Sequence, residues 1–354
     1  MQKGPYVLDM QYLDGGLALP FFVFVVCAFV VWVAGARLAY LADALSDRFK
    51  LAKSVVGLVF LSTATSLPEI ATTLTAAVQE ARELVLNNLF GGIALQTAML
   101  AMSDLWARGA ITNYPRKANH ALEATLLVLM LGLVIVVLML GEPLVIGGVG
   151  MGTVVIAAVY AGALRLLRTY DAANDWVPVD LPDPDPLPFP APTGLAQAST
   201  TGLVVQSILA CAFILVFGVA LVISAESIAV NSGLGTSFVG VTLLAAATSL
   251  PELTTSITAV RMGAYTLAIS NIFGSNLIML VLVFPADILF RSGPLLRTQT
   301  PIVMTSLGFA IIVTAIFLTG LLIRRKPRIG KIGLDSVFVL ISFVASLLVY
   351  YRLR

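Results

Sequence analysis

Charged side chains are scarce in this chain of 354 residues, where Asp, Glu, Lys and Arg together make up 11% and hydrophobic residues make up 59%. So little charge cannot cover the surface of a soluble domain of this size. The mean hydropathy of +0.98 therefore indicates an integral membrane protein, with lipid as its surroundings. The sequence contains no basic patch interleaved with aromatic residues, so it gives no sign of a nucleic-acid partner.

Histidine and cysteine are also rare. The single histidine, His120, stands close to Arg116 and Lys117, and we expect it at the membrane interface. The two cysteines, Cys27 and Cys211, lie inside apolar runs and are expected to pack as small hydrophobic side chains. Neither a His-Glu-x-x-His nor a Gly-x-Ser-x-Gly motif is present, so the sequence favours no enzyme and no cofactor.

Long apolar runs are abundant, and ten of them are long enough to cross a hydrocarbon core of ~30 Å, which takes about 20 helical residues. The predicted fold class is an all-α integral membrane protein with ten transmembrane helices. The predicted spans are 17–41, 54–79, 84–106, 120–140, 143–164, 202–230, 237–260, 264–290, 299–323 and 333–351.

Most Lys and Arg residues fall in the loops that follow the odd-numbered spans. Cytoplasmic loops hold the excess of positive charge, which places both termini on the non-cytoplasmic side of the cell membrane. A Pro- and Asp-rich segment, residues 166–200, is predicted to be an extended cytoplasmic linker. It separates a first transmembrane half, residues 1–165, from a second, residues 201–354.

The two halves contain an internal repeat. When the chain is shifted by 183 residues, 54–91 align with 237–274 without a gap, and 18 of 38 positions are identical. Equivalent acids and glycines extend the repeat cores to 35–104 and 218–287. Five predicted spans precede the second copy. Because this number is odd, the two copies enter the membrane from opposite sides, which predicts two inverted five-helix repeats.

The repeated segment Thr-Ser-Leu-Pro-Glu lies in the middle of spans two and seven. Pro68 and Pro251 lack the N–H that a continuing helix needs, so they predict a break in each span near the membrane midplane. The spacing of Ser66 and Glu69 matches a capping box, which would satisfy the new helix N-terminus locally. Ser249 and Glu252 repeat that spacing.

Carboxylates in the middle of a span are costly, since the insertion of each into the membrane costs about 2.5 to 3.5 kcal/mol of free energy on insertion scales. Glu69 and Glu252 therefore imply a compensating proton or cation. Carboxylate, hydroxyl and freed carbonyl oxygens are ligands that suit Ca²⁺ and Na⁺. Additional candidate ligands lie in spans three and eight: Asn88, Gln96, Asn271 and Asn276.

Two further pairs of acids occupy equivalent positions. Asp43 and Glu226 are either interfacial acids or proton carriers on spans one and six. Asp104 and Asp287 end spans three and eight, where we expect helix-end or interfacial roles.

With these motifs, the chain resembles the calcium/cation antiporter superfamily, and most closely its prokaryotic sodium/calcium exchanger-like branch. The resemblance rests on Ala64–Glu69, Ala247–Glu252 and Ser270–Asn276. It implies antiport by alternating access, in which spans one and six slide across a core that holds the ion. It also implies that the ion is bound by two glutamates and five hydroxyl residues: Glu69, Glu252, Thr65, Ser66, Thr248, Ser249 and Ser275.

The chain departs from the sodium-coupled pattern in spans three and eight. Gly92 and Ile93 stand where such members usually have Ser and Asn, and Gln96 and Met279 stand where they usually have Asn or Asp. We therefore predict exchange of Ca²⁺ for Na⁺ or H⁺, with divalent transport better supported than sodium coupling. The alternatives are a monovalent cation/proton antiporter and a passive cation channel.

Overall fold

A computed structural model describes residues 16–107, 109–115, 117–173, 195, 197–232, 245–297, 300–323, 328–330 and 332–353. This part of the chain is predominantly helical. Its helices are α1 (Ala18–Phe49), α2 (Lys53–Val55), α3 (Ser62–Thr65), α4 (Leu67–Val78), α5 (Arg82–Met102), α6 (Asn119–Leu140), α7 (Met151–Ala173), α8 (Thr200–Asn231), α9 (Leu250–Arg261), α10 (Tyr265–Val281), α11 (Val283–Leu289), α12 (Pro301–Leu322) and α13 (Leu334–Leu353).

Short elements connect these helices. A π-helix, Val56–Leu61, joins α2 to α3. Two antiparallel hairpins interrupt the all-helical pattern, with Val145 paired to Gly150 and Arg328 paired to Gly333. The strands are β1 (Val145–Ile146), β2 (Val149–Gly150), β3 (Arg328–Ile329) and β4 (Ile332–Gly333), and the 3₁₀ turns are Ser103–Trp106, Ile111–Asn113 and Leu295–Arg297.

Eight helices in the described residues are long and apolar enough to cross a membrane. A ninth candidate is the pair Lys53–Thr65 and Leu67–Val78, which is bent by 52°. The chain is therefore a multi-pass membrane protein. The first third of the predicted span 237–260 and most of the linker 166–200 lie outside the described residues, so the ten-span count stays a prediction.

The helix ends follow local chemistry. α6 ends at Gly141, whose φ of 67° is the left-handed conformation that glycine adopts without steric cost. The N-caps of α8 and α12 are Ser199 and Thr300, whose hydroxyl oxygens accept hydrogen bonds from Gly202 N and Val303 N. These capping residues mark where the long apolar helices begin or end.

Many elements of the two halves correspond within the described residues. α4, α5 and α7 begin 183 residues before α9, α10 and α13, and β1 and β2 begin 183 residues before β3 and β4. The structural correspondence thus extends well beyond the predicted repeat cores, to the last helix of each half. α10 is the most buried of the long helices, whereas α1 and α8 pack against each other and against the broken helices α9 and α4.

Two equivalent glycines bring α1 and α8 against the broken helices. A Cβ built on Gly35 of α1 would overlap the Thr254 hydroxyl on α9, and one built on Gly218 of α8 would lie 2.5 Å from Pro68 Cγ on α4. Each contact joins one half to the other. Only the missing side chains allow the long helices to approach the helix breaks this closely.

Two equivalent aspartates join the halves at the ends of α5 and α11. Asp104 accepts hydrogen bonds from Ile111 N at 2.8 Å and from Gly333 N at 3.0 Å. Asp287 accepts from Gly150 N at 2.8 Å. Each carboxylate therefore binds the hairpin of the other half. Both aspartates are buried at helix ends, as the helix-end expectation has it.

Glu142 lies just before the hairpin that Asp287 binds, outside the membrane-spanning helices. Its Oε2 accepts a hydrogen bond from Gly152 N at 2.9 Å, and only 4% of the residue is exposed. Burial raises the pKa of the Glu142 carboxyl, and the nearby charge of Asp287 raises it further.

We predict that Gly35→Ala and Gly218→Ala destabilise the protein by about 1 to 3 kcal/mol, since each methyl group would overpack a close helix contact. Thermal unfolding of the purified variants measures the loss. Gly308→Ala on α12 is the matched control, because nothing lies within 4 Å of its Cβ position. Equal unfolding temperatures for all three variants would contradict the packing described above.

Candidate functional site

Both repeated motifs lie where a helix breaks. In the first half, α3 ends at Thr65 and α4 begins at Leu67, and Ser66 between them has ψ of 4° instead of a helical value. Ser249 has the same conformation before α9, with ψ of 9°. In each case the proline is the second residue of the new helix, where its missing N–H needs no partner.

The serine hydroxyls at these breaks do not cap their own helices, so the predicted capping boxes are wrong. Ser66 Oγ instead donates to Glu252 Oε1 at 3.0 Å, and Ser249 Oγ donates to Glu69 Oε1 at 3.2 Å. Each serine thus binds the glutamate of the opposite half. This crossed pairing brings both helix breaks and both carboxylates into one buried cluster.

Ser275 of α10 makes the cluster asymmetric. Its hydroxyl lies 2.6 Å from Ser66 Oγ and donates to Glu252 Oε1 at 3.2 Å. The equivalent residue in the first half is Gly92, which has no hydroxyl to offer Glu69. Glu252 Oε1 therefore accepts from two hydroxyls and Glu69 Oε1 from one.

Several polar atoms in this region are buried without a hydrogen-bond partner among the described residues. They include Oε2 of Glu69, Oε2 of Glu252, Oδ1 of Asn276 and both side-chain polar atoms of Gln96. All four residues are at most 1% exposed. Buried polar atoms normally have partners, so these groups mark a place where a polar or charged ligand fits.

Asn88 and Asn271, which occupy equivalent positions in the two halves, differ in their surroundings. Asn271 is fully buried, and its Nδ2 donates to Thr255 Oγ1 at 3.0 Å, while Thr65 Oγ1 lies 3.5 Å from its Oδ1. Asn88 is only half-buried, and its Nδ2 donates to Thr73 Oγ1 at 2.8 Å. The structure therefore connects Asn271 to the motif of the opposite half and gives Asn88 a local partner.

The two motif threonines each have a carbonyl acceptor three residues earlier. Thr65 Oγ1 donates to Ser62 O at 3.2 Å, and Thr248 Oγ1 donates to Ala245 O at 2.9 Å. A hydroxyl that donates in this way keeps its oxygen lone pairs available as an acceptor or a cation ligand.

Sequence reasoning missed two threonines that orient amides. Thr97 Oγ1 accepts from Asn276 Nδ2 at 3.1 Å, which leaves Asn276 Oδ1 as the amide atom without a partner. Thr255 accepts from Asn271 and donates to Pro251 O at 2.8 Å. A threonine within a membrane span was the only available signal, and it does not reveal the partner.

The acids on α1 and α8 lie outside this cluster. Asp43 forms an ion pair with Lys53, with 2.5 Å between Oδ1 and Nζ, and its side chain is 24% exposed. Glu226 is half-buried. A proton-carrying role for either acid stays a prediction.

The cluster offers the chemistry of a cation site. It combines two carboxylates, several hydroxyls and amide oxygens in a buried region, and such oxygens are the ligands that Ca²⁺ and Na⁺ prefer. The glycine at 274 allows this arrangement, because a Cβ there would overlap Leu58 O and Ser62 in the adjoining helix. π-helical turns, such as the one that supplies Leu58, often occur at functional sites.

Comparisons with known proteins agree with this chemistry. The family model for the sodium/calcium exchanger protein matches residues 19–164 and 202–352. CaxA of Alkalimonas amylolytica, described as an antiporter, is 27% identical over 78% of this chain and 82% of its own length. The inner membrane protein YrbG of Escherichia coli (strain K12) is 24% identical over 83% of this chain and 86% of its own.

Solved structures of the sodium-calcium exchanger NCX_Mj share the fold. One of them superposes with a TM-score of 0.68 and 19% sequence identity, covering 94% of this chain and 99% of that chain. At this identity the likeness shows the fold alone.

We predict that a double-mutant cycle of Ser66→Ala with Glu252→Gln gives a coupling energy within about 0.5 to 3 kcal/mol, because the two side chains are in contact. Thermal unfolding in the presence of a chelator measures it. Ser249→Ala with Glu69→Gln is the equivalent pair and should also couple. If Ser66 coupled more strongly to Glu69 than to Glu252, the local capping box would be right and the crossed pairing wrong.

Proposed function

Since the chain belongs to the sodium/calcium exchanger protein family, we propose that it is a secondary antiporter that exchanges Ca²⁺ for Na⁺ or H⁺ by alternating access. It is a transporter and not an enzyme. The family assignment confirms the resemblance seen in the motifs.

The crossed pairing of serines and glutamates carries this proposal. Two carboxylates are buried together, and each keeps one oxygen without a partner in the described residues. Two such charges in a membrane interior repel each other and are poorly solvated unless a cation or protons neutralise them. A divalent cation balances both charges at once, which favours Ca²⁺ over a single monovalent ion.

Ca²⁺ takes six to eight oxygen ligands, and the cluster has enough side chains to supply them. In this proposal Glu69 and Glu252 are the central ligands, and Thr97 orients Asn276 toward the ion. Asn88 is left out, because it is only half-buried, whereas Asn271 is fully buried and lies beside Thr65 of the opposite half. The remaining proposed ligands are Thr65, Ser66, Thr248, Ser249, Ser275, Asn271, Asn276 and Gln96.

Alternating access is proposed to occur between α1 and α8 as one unit and the remaining helices as the other. The close contacts at Gly35 and Gly218 support this division, since they allow the long helices to pass over the helix breaks. In keeping with the element correspondence, we propose ten spans in two inverted repeats, with both termini on the non-cytoplasmic side.

The coupling ion is expected to depend on α5 and α10. Met279 is buried and apolar, and Gly92 has no side chain, so two positions that usually supply sodium ligands supply none here. In the first half, Gln96 is the only polar residue at the positions that usually supply sodium ligands. We therefore expect a proton gradient to drive Ca²⁺ transport at least as well as a sodium gradient.

We predict that purified protein in proteoliposomes takes up ⁴⁵Ca²⁺ when an opposing Na⁺ or pH gradient is imposed, each tested separately. Background uptake under both gradients, with no other divalent ion moving, would refute calcium antiport. Movement of a monovalent cation against protons would then support the monovalent alternative. Flux that continues without any opposing gradient would identify a channel.

Glu69→Gln and Glu252→Gln are expected to abolish this transport, since each removes a charged ligand from the centre of the site. Glu83→Gln is the matched control, because the same change is made on the exposed first turn of α5. Wild-type transport rates in Glu69→Gln would show that the ion is bound elsewhere.

A further inference from the structure

A second polar cluster lies away from the two glutamates of the ion site. His120 Nδ1 is 2.8 Å from Glu123 Oε2, one turn later on α6, and Ser270 Oγ of α10 donates to Glu123 Oε1 at 2.7 Å. Ser270 Oγ also lies 3.2 Å from His120 Nδ1. Between 0% and 2% of each residue is exposed, so all three side chains are buried inside the protein, and the interfacial position of His120 stays a prediction.

The fold does not require this cluster. The positions equivalent to His120 and Glu123 in the second half are Val303 and Ser306, and the position equivalent to Ser270 is Asn87. The second half therefore makes the same helix contact without a histidine or a carboxylate. A buried ionisable pair that only one of two matching halves contains is better explained by a functional role than by packing.

The cluster is connected to the proposed ion site through one helix. Ser270 directly precedes Asn271, whose amide binds Thr255 and approaches Thr65 of the opposite half. A change of charge at His120 and Glu123 therefore acts close to the ion through a rigid, fully buried segment of α10. In such a low-dielectric region the attraction between charges is much stronger than in water.

Other charged groups on the adjoining helices have different surroundings. Arg165 and Arg168 of α7 are exposed, and so is Arg297 of the 3₁₀ turn that packs on α6. α12 contains no titratable residue. Lys53, at the start of α2, forms an ion pair with Asp43. Among the nearby residues that remain, Tyr114 stacks on Tyr265 of α10, and Lys117 lies half-buried just before α6.

We propose that His120 and Glu123 together form a proton-binding site that is coupled to the cation site, and that cation binding releases this proton. The inference rests on the proposed antiport. With one proton on the imidazole ring, the pair carries the negative charge of Glu123. A second proton neutralises the pair and removes an attraction for the cation. Because binding linkage is reciprocal, a bound cation must in turn lower the affinity for the proton.

The single histidine makes a direct test possible. Protein with ¹⁵N-labelled histidine, reconstituted in lipid nanodiscs, shows one histidine ring, so its NMR signals report His120 alone. We expect Ca²⁺ to shift the ring toward the neutral form at constant pH, over roughly pH 5 to 9. A ring that stays unchanged while ⁴⁵Ca²⁺ binds to the same sample would overturn the proposal.

Two variants test the coupling independently. In His120→Gln and Glu123→Gln, the slope of log Ca²⁺ affinity against pH is expected to fall by up to about one, the loss of one linked proton. Glu83→Gln is the matched control and should keep the wild-type slope. A merely structural pair would lower the unfolding temperature in both variants and leave the slope unchanged, which would refute the proposal.

Failure of the proposed antiport gives a different result. In that case wild-type protein shows no cation binding that depends on Glu69, whatever happens at His120. Failure of the proton site alone leaves Glu69-dependent binding intact and the histidine ring unaffected. If a variant does not fold, the labelled wild-type protein still decides the question.

Discussion

The structure depends on the crossed hydrogen bonds between the serine of one half and the glutamate of the other. Ser66 binds Glu252 and Ser249 binds Glu69, so neither half can form the buried cluster alone. Two helix breaks that would each be a defect in an isolated span become mutually satisfied. The same exchange recurs at Asp104 and Asp287, each of which binds the hairpin of the opposite half.

On this nearly symmetric frame, the polar chemistry is asymmetric. Ser275 and Asn276 are matched by Gly92 and Ile93, Gln96 by Met279, and the His120 and Glu123 pair by Val303 and Ser306. Matching backbones in both halves therefore hold different side chains around one centre. The two sides of a single site can therefore present different side chains, which identical halves would not allow.

Much of the site could be predicted from the sequence, because its signals are local. Mid-span prolines break helices wherever they occur, and the cost of burying Glu69 and Glu252 holds for any membrane span. The partners of Ser66 and Thr97 could not be predicted. Ser66 and Glu69 have the spacing of a capping box, and only the approach of the second half shows that the hydroxyl binds Glu252 instead.

The sequence by itself determined the membrane class, the duplicated motif, the place of each helix break and the two central carboxylates. These features follow from hydropathy, residue identity and periodicity, which act within a few helical turns. Only the tertiary structure decided which hydroxyl meets which carboxylate, which asparagine joins the site, and that His120 is buried against Glu123. Most of these contacts, such as Ser66 with Glu252 and Ser270 with Glu123, join side chains that lie more than a hundred residues apart, whose distances packing sets and spacing along the chain does not.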